Sequence, residues 1–214
     1  MEPEPTPISD WLDEGSSDPT AVTDRYDDWA EAYDEDLTAW SYQAPAVVAE
    51  TVVSRHPEAA SILDVGCGTG LVGQALRSRG FAGEIRGLDI SEASLEIAQR
   101  SGAYASVARA DLQQRLPIKT DSIDAAVCVG VMTYLPDVEG IWRELARVVR
   151  PGGLIVVTQR EDLWEARDCQ AVVDRLQGEG VWTPADITGP APYLPDGYGG
   201  TPEVACYYLT AQVT

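Results

Sequence analysis

Apolar residues recur along this chain with two different periods, and the change from one to the other divides it. From Thr20 to Trp40 the apolar positions Tyr26, Trp29, Ala30, Tyr33, Leu37 and Trp40 lie three or four apart, which is one face of a helix. A second helical stretch from Tyr42 to Arg55 is stopped by His56-Pro57, because the residue before a proline is pushed out of the helical region. Beyond it, short apolar runs rich in β-branched residues alternate with helical patterns. Strands are expected at Ser61 to Val65, Glu84 to Asp89, Tyr104 to Ala108, Ile123 to Val129 and Leu154 to Thr158, and helices over about 71–79, 92–101, 138–149 and 161–177. That alternation predicts an α/β fold, a mainly parallel sheet covered by helices on both faces. Two last extended segments, Val181 to Ile187 and Val204 to Val213, are joined by a Pro/Gly/Tyr-rich loop with no helix, so they pair antiparallel or enter separate positions.

The first strand, Ser61 to Val65, runs into Gly66-Cys67-Gly68-Thr69-Gly70 and then into a helical pattern. Glycines at alternate positions take positive φ without strain and let backbone amides at a helix N-terminus approach a ligand closely. Asp64 adds a carboxylate suited to an ammonium or hydroxyl. Gly68-Thr69-Gly70-Leu71-Val72-Gly73 also fits the GxGxxG of dinucleotide sites, with Asp89 at about the right distance, but it begins three residues after the strand's last apolar residue.

Composition narrows the partners. The formal net charge is −20 and Lys119 is the only lysine, so the surface repels phosphate backbones and anionic headgroups; neither nucleic acid nor a membrane is expected as a partner. The length suits one domain, with residues 20–214 forming it and the proline-rich, acidic residues 1–19 forming a mobile tail. Cys67, Cys128, Cys169 and Cys206 show no metal or CxxC spacing and read as reduced thiols; with no signal-peptide pattern and no membrane-length apolar run, a cytoplasmic protein is expected, a monomer or homodimer, without metal.

Four motifs in order carry a resemblance. Leu63 to Gly70 resembles motif I of the class I S-adenosylmethionine (SAM)-dependent methyltransferases; Gly87-Leu88-Asp89-Ile90, Ala110-Asp111-Leu112 and Glu144 to Gly153, with its Pro151-Gly152-Gly153, are similar to the elements that follow it. The resemblance implies a Rossmann-like seven-stranded sheet with an antiparallel C-terminal strand, SAM as cofactor and a small-molecule acceptor. Tyr26 to Asp34 resembles the segment that forms a lid ahead of the core, which makes residues 20–56 a helical lid. Together with Tyr42-Gln43-Ala44-Pro45, it is similar to the pattern of the Williams–Beuren syndrome-region methyltransferases.

On this reading the cofactor contacts are Tyr33, Asp64, Gly66, Cys67, Gly68, Thr69, Gly70, Asp89, Ile90, Asp111, Leu112 and Val129, with Asp89 on the ribose and Asp111-Leu112 at the adenine. Tyr26, Trp29, Met132, Tyr134, Tyr193 and Tyr198 are expected at the acceptor, a small neutral or cationic molecule. Tyr134 stands where relatives often have histidine, and the only histidine, His56, lies at the amino end of the sheet. Transfer from a sulfonium releases a neutral leaving group, so alignment can replace a dedicated base; Tyr26, Tyr33 and Tyr134 are the candidates if one is needed. A non-catalytic SAM-binding protein and an NAD-dependent oxidoreductase stay open as alternatives.

Overall fold

A computed structural model describes residues 16–194 and 204–214. It opens with α1, Pro19–Ala39, started by Asp18, whose side chain accepts from Thr20 N, and by Pro19, whose missing N–H is not needed in a first turn. Helix α2, Ala44–Arg55, follows and ends at His56. The sheet and its crossovers are β1 (Ser61–Val65), α3 (Leu71–Ser78), β2 (Glu84–Asp89), α4 (Glu92–Arg100), β3 (Ser106–Arg109), β4 (Ile123–Cys128), a 3-10 turn at Met132–Tyr134, α5 (Val138–Val148) and β5 (Val149–Arg160). Helices α6 (Glu161–Ala166) and α7 (Cys169–Gly178) lead to β6 (Trp182–Leu194) and β7 (Val204–Val213).

The seven strands stand in the order β3-β2-β1-β4-β5-β7-β6. Strands β1 to β5 run parallel, and β7 is antiparallel to both β5 and β6. This is the Rossmann-like topology of class I methyltransferases, and the antiparallel pair at the edge replaces the sixth parallel strand of the dinucleotide fold. The order reverses between β1 and β4, which opens a crevice beyond their carboxyl ends.

Strand alternation divides the core into two layers. Leu63 and Val65 point into the layer under α5 and α7, where Trp142 and Trp182 meet at 5.6 Å, while Ile62 and Ile85 point into the layer under α2, α3 and α4. Burying a side chain of this size contributes about 1.5–3 kcal/mol, so these layers fix where the strand ends lie.

Four expectations need correction. The third strand begins at Ser106, two residues late, because Tyr104 turns inward against the glycine loop. The fifth begins at Val149, with Gly152 at φ 82 in a bulge opposite β4. The helix expected over 161–177 is broken at Asp168, which has φ 46, just after Arg167 turns to hydrogen-bond the loop that follows β4. The sixth strand extends to Leu194, so Tyr193 lies on a strand; an edge position with register shifts accommodates its prolines. Tyr198 and residues 1–15 lie outside the described residues.

Candidate active site

Strand β1 delivers the chain to a turn in which Gly66 and Cys67 both donate to Leu88 O, at 2.7 and 3.0 Å. Gly66, Gly68 and Gly70 all have positive φ. At Gly68, where φ is 50, a Cβ would enter open space, so the backbone here faces a void. Its N–H donates to Asp89 Oδ2 at 2.8 Å, and Ser91 N donates to Asp89 Oδ1 at 3.0 Å. Two amides therefore aim a buried carboxylate into the crevice. Burial raises the Asp89 pKa, and the two amides oppose that rise.

The void is a cavity between the glycine loop and α1. Gly66, Gly68, Asp89 and Ile90 form one wall, Asp111 and Leu112 another, and Val129 with Gly130 the end nearest β4. Helix α1 roofs it through Pro19, Val22, Tyr26 and Tyr33. A smaller cavity continues along the loop past Cys67 and Thr69, and Tyr33 borders both. Gly70 lies behind the loop, where a Cβ would meet the Tyr104 ring at 3.0 Å.

Asp64 departs from the expected position, being fully buried behind the loop and bordering none of these cavities. Tyr104 Oη donates to its Oδ2 at 2.6 Å, while Oδ1 has no partner. Desolvation pushes its pKa up to about 7, partly countered by the Tyr104 hydroxyl. The open side of Gly68 and the two carboxylates Asp89 and Asp111 on the cavity walls are groups that an amino-acid nucleoside such as SAM would satisfy. The residues present fit that cofactor.

The roof is fastened by side chains. Asp27 Oδ1 accepts from Ser91 Oγ at 2.6 Å and from Ala93 N at 3.2 Å, at the N-terminus of α4. Thr69 Oγ1 donates to Asp34 Oδ1 at 2.5 Å, just before α3. Gln113 Nε2 donates to Ser17 O at 2.7 Å. Both carboxylates thus sit where helix N-termini favour negative charge.

A second cavity lies across a wall made by Tyr26, Tyr33, Gly130 and Tyr134. Its lining is aromatic: Trp29 meets Tyr33 edge-on at 4.6 Å, and Trp40 lies 5.8 Å from Trp29. Tyr26 Oη donates to Tyr134 Oη at 2.8 Å. Tyr42 and Tyr193 place their hydroxyls 3.1 Å apart, directly beside Gly130. Burial is the main cause that raises the pKa of Tyr26, Tyr33, Tyr42 and Tyr193 well above the ordinary phenol range. That argues against Tyr26 and Tyr33 as proton acceptors. Met132 is also corrected: its side chain is buried in the core and borders neither cavity, while its carbonyl accepts from Arg167 Nη1 at 2.7 Å.

Sequence reasoning missed Tyr42 and Arg160 in the second cavity, and Tyr104 and Arg167 as supports. Asp27 and Asp34 were within reach, since both lie in the Tyr26 to Asp34 segment that suggested a lid. Among the described residues, no cluster of three or more metal-ligating side chains occurs, and no helix is long and apolar enough to cross a membrane.

Comparison with known proteins agrees with this geometry. The sequence model of a methyltransferase domain family matches residues 63–157. A human protein, methyltransferase-like protein 27, is 36% identical over 164 residues, covering 73% of this chain and 66% of its own. The ubiquinone biosynthesis O-methyltransferase of Chromobacterium violaceum is 33% identical over 112 residues, covering 48% of this chain and 46% of that protein. The chain thus spans about two thirds of the first and under half of the second. Among solved structures, a TehB-like SAM-dependent methyltransferase from Corynebacterium glutamicum superposes with a TM-score of 0.65 over 89% of this chain and 98% of that one, at 18% identity.

Proposed function

We propose that the chain is a class I SAM-dependent methyltransferase that transfers a methyl group from SAM to a small molecule held in the second cavity. The observation that carries the proposal is the wall shared by the two cavities: Gly130, Tyr26, Tyr33 and Tyr134 border both, so two ligands there would meet at one point. Bound SAM would supply a methyl on a positively charged sulfur, open to in-line displacement by an acceptor nucleophile.

The chain's own residues divide the remaining work. Asp89 is aimed by two amides at the position of a ribose, Asp111 and Leu112 border the adenine end, and Gly68 leaves room for the backbone to approach. Cys67 and Thr69 line the amino-acid end. Helix α1 excludes water from above, which strengthens every polar contact beneath it. The buried phenols stay protonated, so they orient by donating hydrogen bonds, and little or no general base takes part. Residues 20–214 act as one domain with residues 20–56 as its lid, a cytoplasmic monomer or homodimer with a small-molecule partner. The narrower likeness to the Williams–Beuren syndrome-region methyltransferases belongs to the same proposal and is supported by Tyr26 to Asp34 and Tyr42 to Pro45.

Calorimetric titration with SAM, S-adenosylhomocysteine and NAD tests the cofactor. Micromolar binding of the first two, lost in Asp89→Ala, is expected. Binding of NAD alone, or of none of the three, would overturn the reading.

A further inference from the structure

We propose that Arg167, which borders none of the three cavities, is a positioning residue of this site. By clamping the turn after β4 it sets the wall between the two ligands and, through Tyr134 and Tyr26, the roof above them. This inference rests on the methyltransferase reading above and adds a residue that acts on the site from outside.

The turn Met132–Tyr134 is a single turn of 3-10 helix, too short to satisfy its own carbonyls. Tyr134 N donates to Val131 O at 3.0 Å and Leu135 N to Met132 O at 3.2 Å. A guanidinium covers the rest. Arg167 Nη1 donates to Met132 O at 2.7 Å and to Leu135 O at 2.9 Å, and Nη2 donates to Thr133 O at 2.9 Å. A planar fork can hold three carbonyls of one turn in a fixed geometry, which the point charge of a lysine cannot, and a cation suits the carbonyl end of a turn.

The placement of this arginine is itself built. Arg167 caps the C-terminus of α6, and Asp168, with φ 46, then starts α7 in a left-handed conformation that costs a non-glycine residue some strain. Burial lowers the Arg167 pKa. Its three side-chain hydrogen bonds all go to the one turn, so a half-buried charge and a strained neighbour serve that turn together.

What the turn carries connects it to the reaction. Val131 and Leu135 border the cofactor cavity, Thr133 borders the second cavity and Tyr134 borders both. The start of the same loop is tied to β5, where Gly130 N donates to Thr158 Oγ1 at 3.0 Å; Arg167 ties its other end. Tyr134 in turn accepts from the Tyr26 hydroxyl at 2.8 Å, their rings 5.6 Å apart and at 82°. Displacing the turn therefore moves the wall at which methyl and acceptor would meet and frees the middle of α1. A shift of about 1 Å at such a point is enough to lower a rate roughly a hundredfold.

Amide hydrogen exchange on the full chain, with and without S-adenosylhomocysteine, tests this together with stopped-flow release of S-adenosylhomocysteine. In Arg167→Gln the amides of residues 132–135 and those of α1 around Tyr26 are expected to exchange roughly tenfold or more faster, with β1 and β4 unchanged. S-adenosylhomocysteine should leave roughly tenfold faster, and Arg167→Lys should recover part of both effects. Tyr26→Phe should speed exchange in α1 alone. Adding Arg167→Gln to Tyr26→Phe should then speed the turn but change α1 little further, because the link is already cut. Exchange in α1 that is unchanged in Arg167→Gln, or additive in the double variant, would reduce Arg167 to a local brace and overturn the inference. Should Arg167→Gln fail to fold, Arg167→Lys decides: both regions speeding together supports the link, and the turn speeding alone refutes it. Failure of S-adenosylhomocysteine to bind the wild-type chain overturns the methyltransferase reading, while exchange without ligand still decides whether Arg167 holds α1.

Discussion

Thr69 donates its hydroxyl to Asp34 at 2.5 Å, and this pair ties the roof helix to the loop that it covers. Together with Asp27 on Ser91 and Ala93, it makes the closed position of α1 depend on carboxylates set at two helix N-termini.

Removing these carboxylates should loosen the roof more than it unfolds the protein. Each hydrogen bond contributes on the order of 1 kcal/mol, so Asp27→Ala/Asp34→Ala should weaken S-adenosylhomocysteine binding roughly tenfold or more and speed proteolysis within α1. Calorimetry and limited digestion check this. Wild-type affinity in the double variant would mean that α1 is not a lid.

The Asp64–Tyr104 pair should set the neutral-pH slope of stability. The folded pKa of Asp64 is about 7, against an ordinary 3.8. The folded protein therefore keeps a proton that the unfolded chain has lost, and stability falls as pH rises from about 4 to about 7. The full effect is on the order of 4 kcal/mol. Asp124 and Glu144 act in the opposite sense: interactions lower their folded pKa values, so their stabilisation is lost only as pH falls below the usual carboxylate range. Asp64→Asn should flatten the decline in urea midpoint between pH 5 and pH 8, and Tyr104→Phe should steepen it by removing the hydroxyl that favours the carboxylate. Identical slopes in all three proteins would refute the assignment.

The parts of this fold that the sequence made legible are those written in local pattern. Strand β1, the glycine loop and Asp89 follow from a β-branched run, a turn requirement and a fixed spacing, so their placement needs no distant contact. Tyr104 broke the pattern because an aromatic at a strand start looks like strand. What turns it inward is space left by Gly70 and Gly73, which lie more than thirty residues away. Helix 161–177 was misread for a similar reason: its break at Asp168 serves Arg167, which donates to the carbonyls of Met132, Thr133 and Leu135. Arg160 carried no local signal at all, since only the pairing of β5 with β7 brings it to the second cavity.

Gly130 should tolerate no side chain. Its φ is 77, and a Cβ would lie 2.8 Å from Tyr42 Oη and 2.9 Å from Tyr193 Oη. Gly102 has nearly the same φ, 73, but open space around it. Both alanine variants should therefore lose about 1 kcal/mol from backbone strain. Gly130→Ala should lose about 1–3 kcal/mol more from overpacking and, by displacing the hydroxyl pair, most methyl transfer. Thermal unfolding compared with turnover separates the two effects, and equal losses in both variants would mean that the hydroxyl pair yields freely.

Methyl transfer without a protein base predicts a definite shape for the pH–rate profile. Tyr26 and Tyr33 have pKa values raised above 10, chiefly by burial. If either acted as the base, its active form would be the phenolate, well under about 1% of the enzyme at pH 8, and the rate would climb about tenfold per pH unit through pH 10. If these residues only orient, the rate should follow the ionisation of the acceptor and level off above the acceptor's own pKa. Replacing the acceptor by a less acidic one should then move the break in the profile by the difference between their pKa values. Tyr26→Phe should lower the plateau by roughly tenfold or less without moving the break, because it removes one hydrogen bond, to Tyr134, and no titrating group. A break that disappears in Tyr26→Phe or Tyr33→Phe would instead identify that phenol as the base, and the burial argument would have to give way.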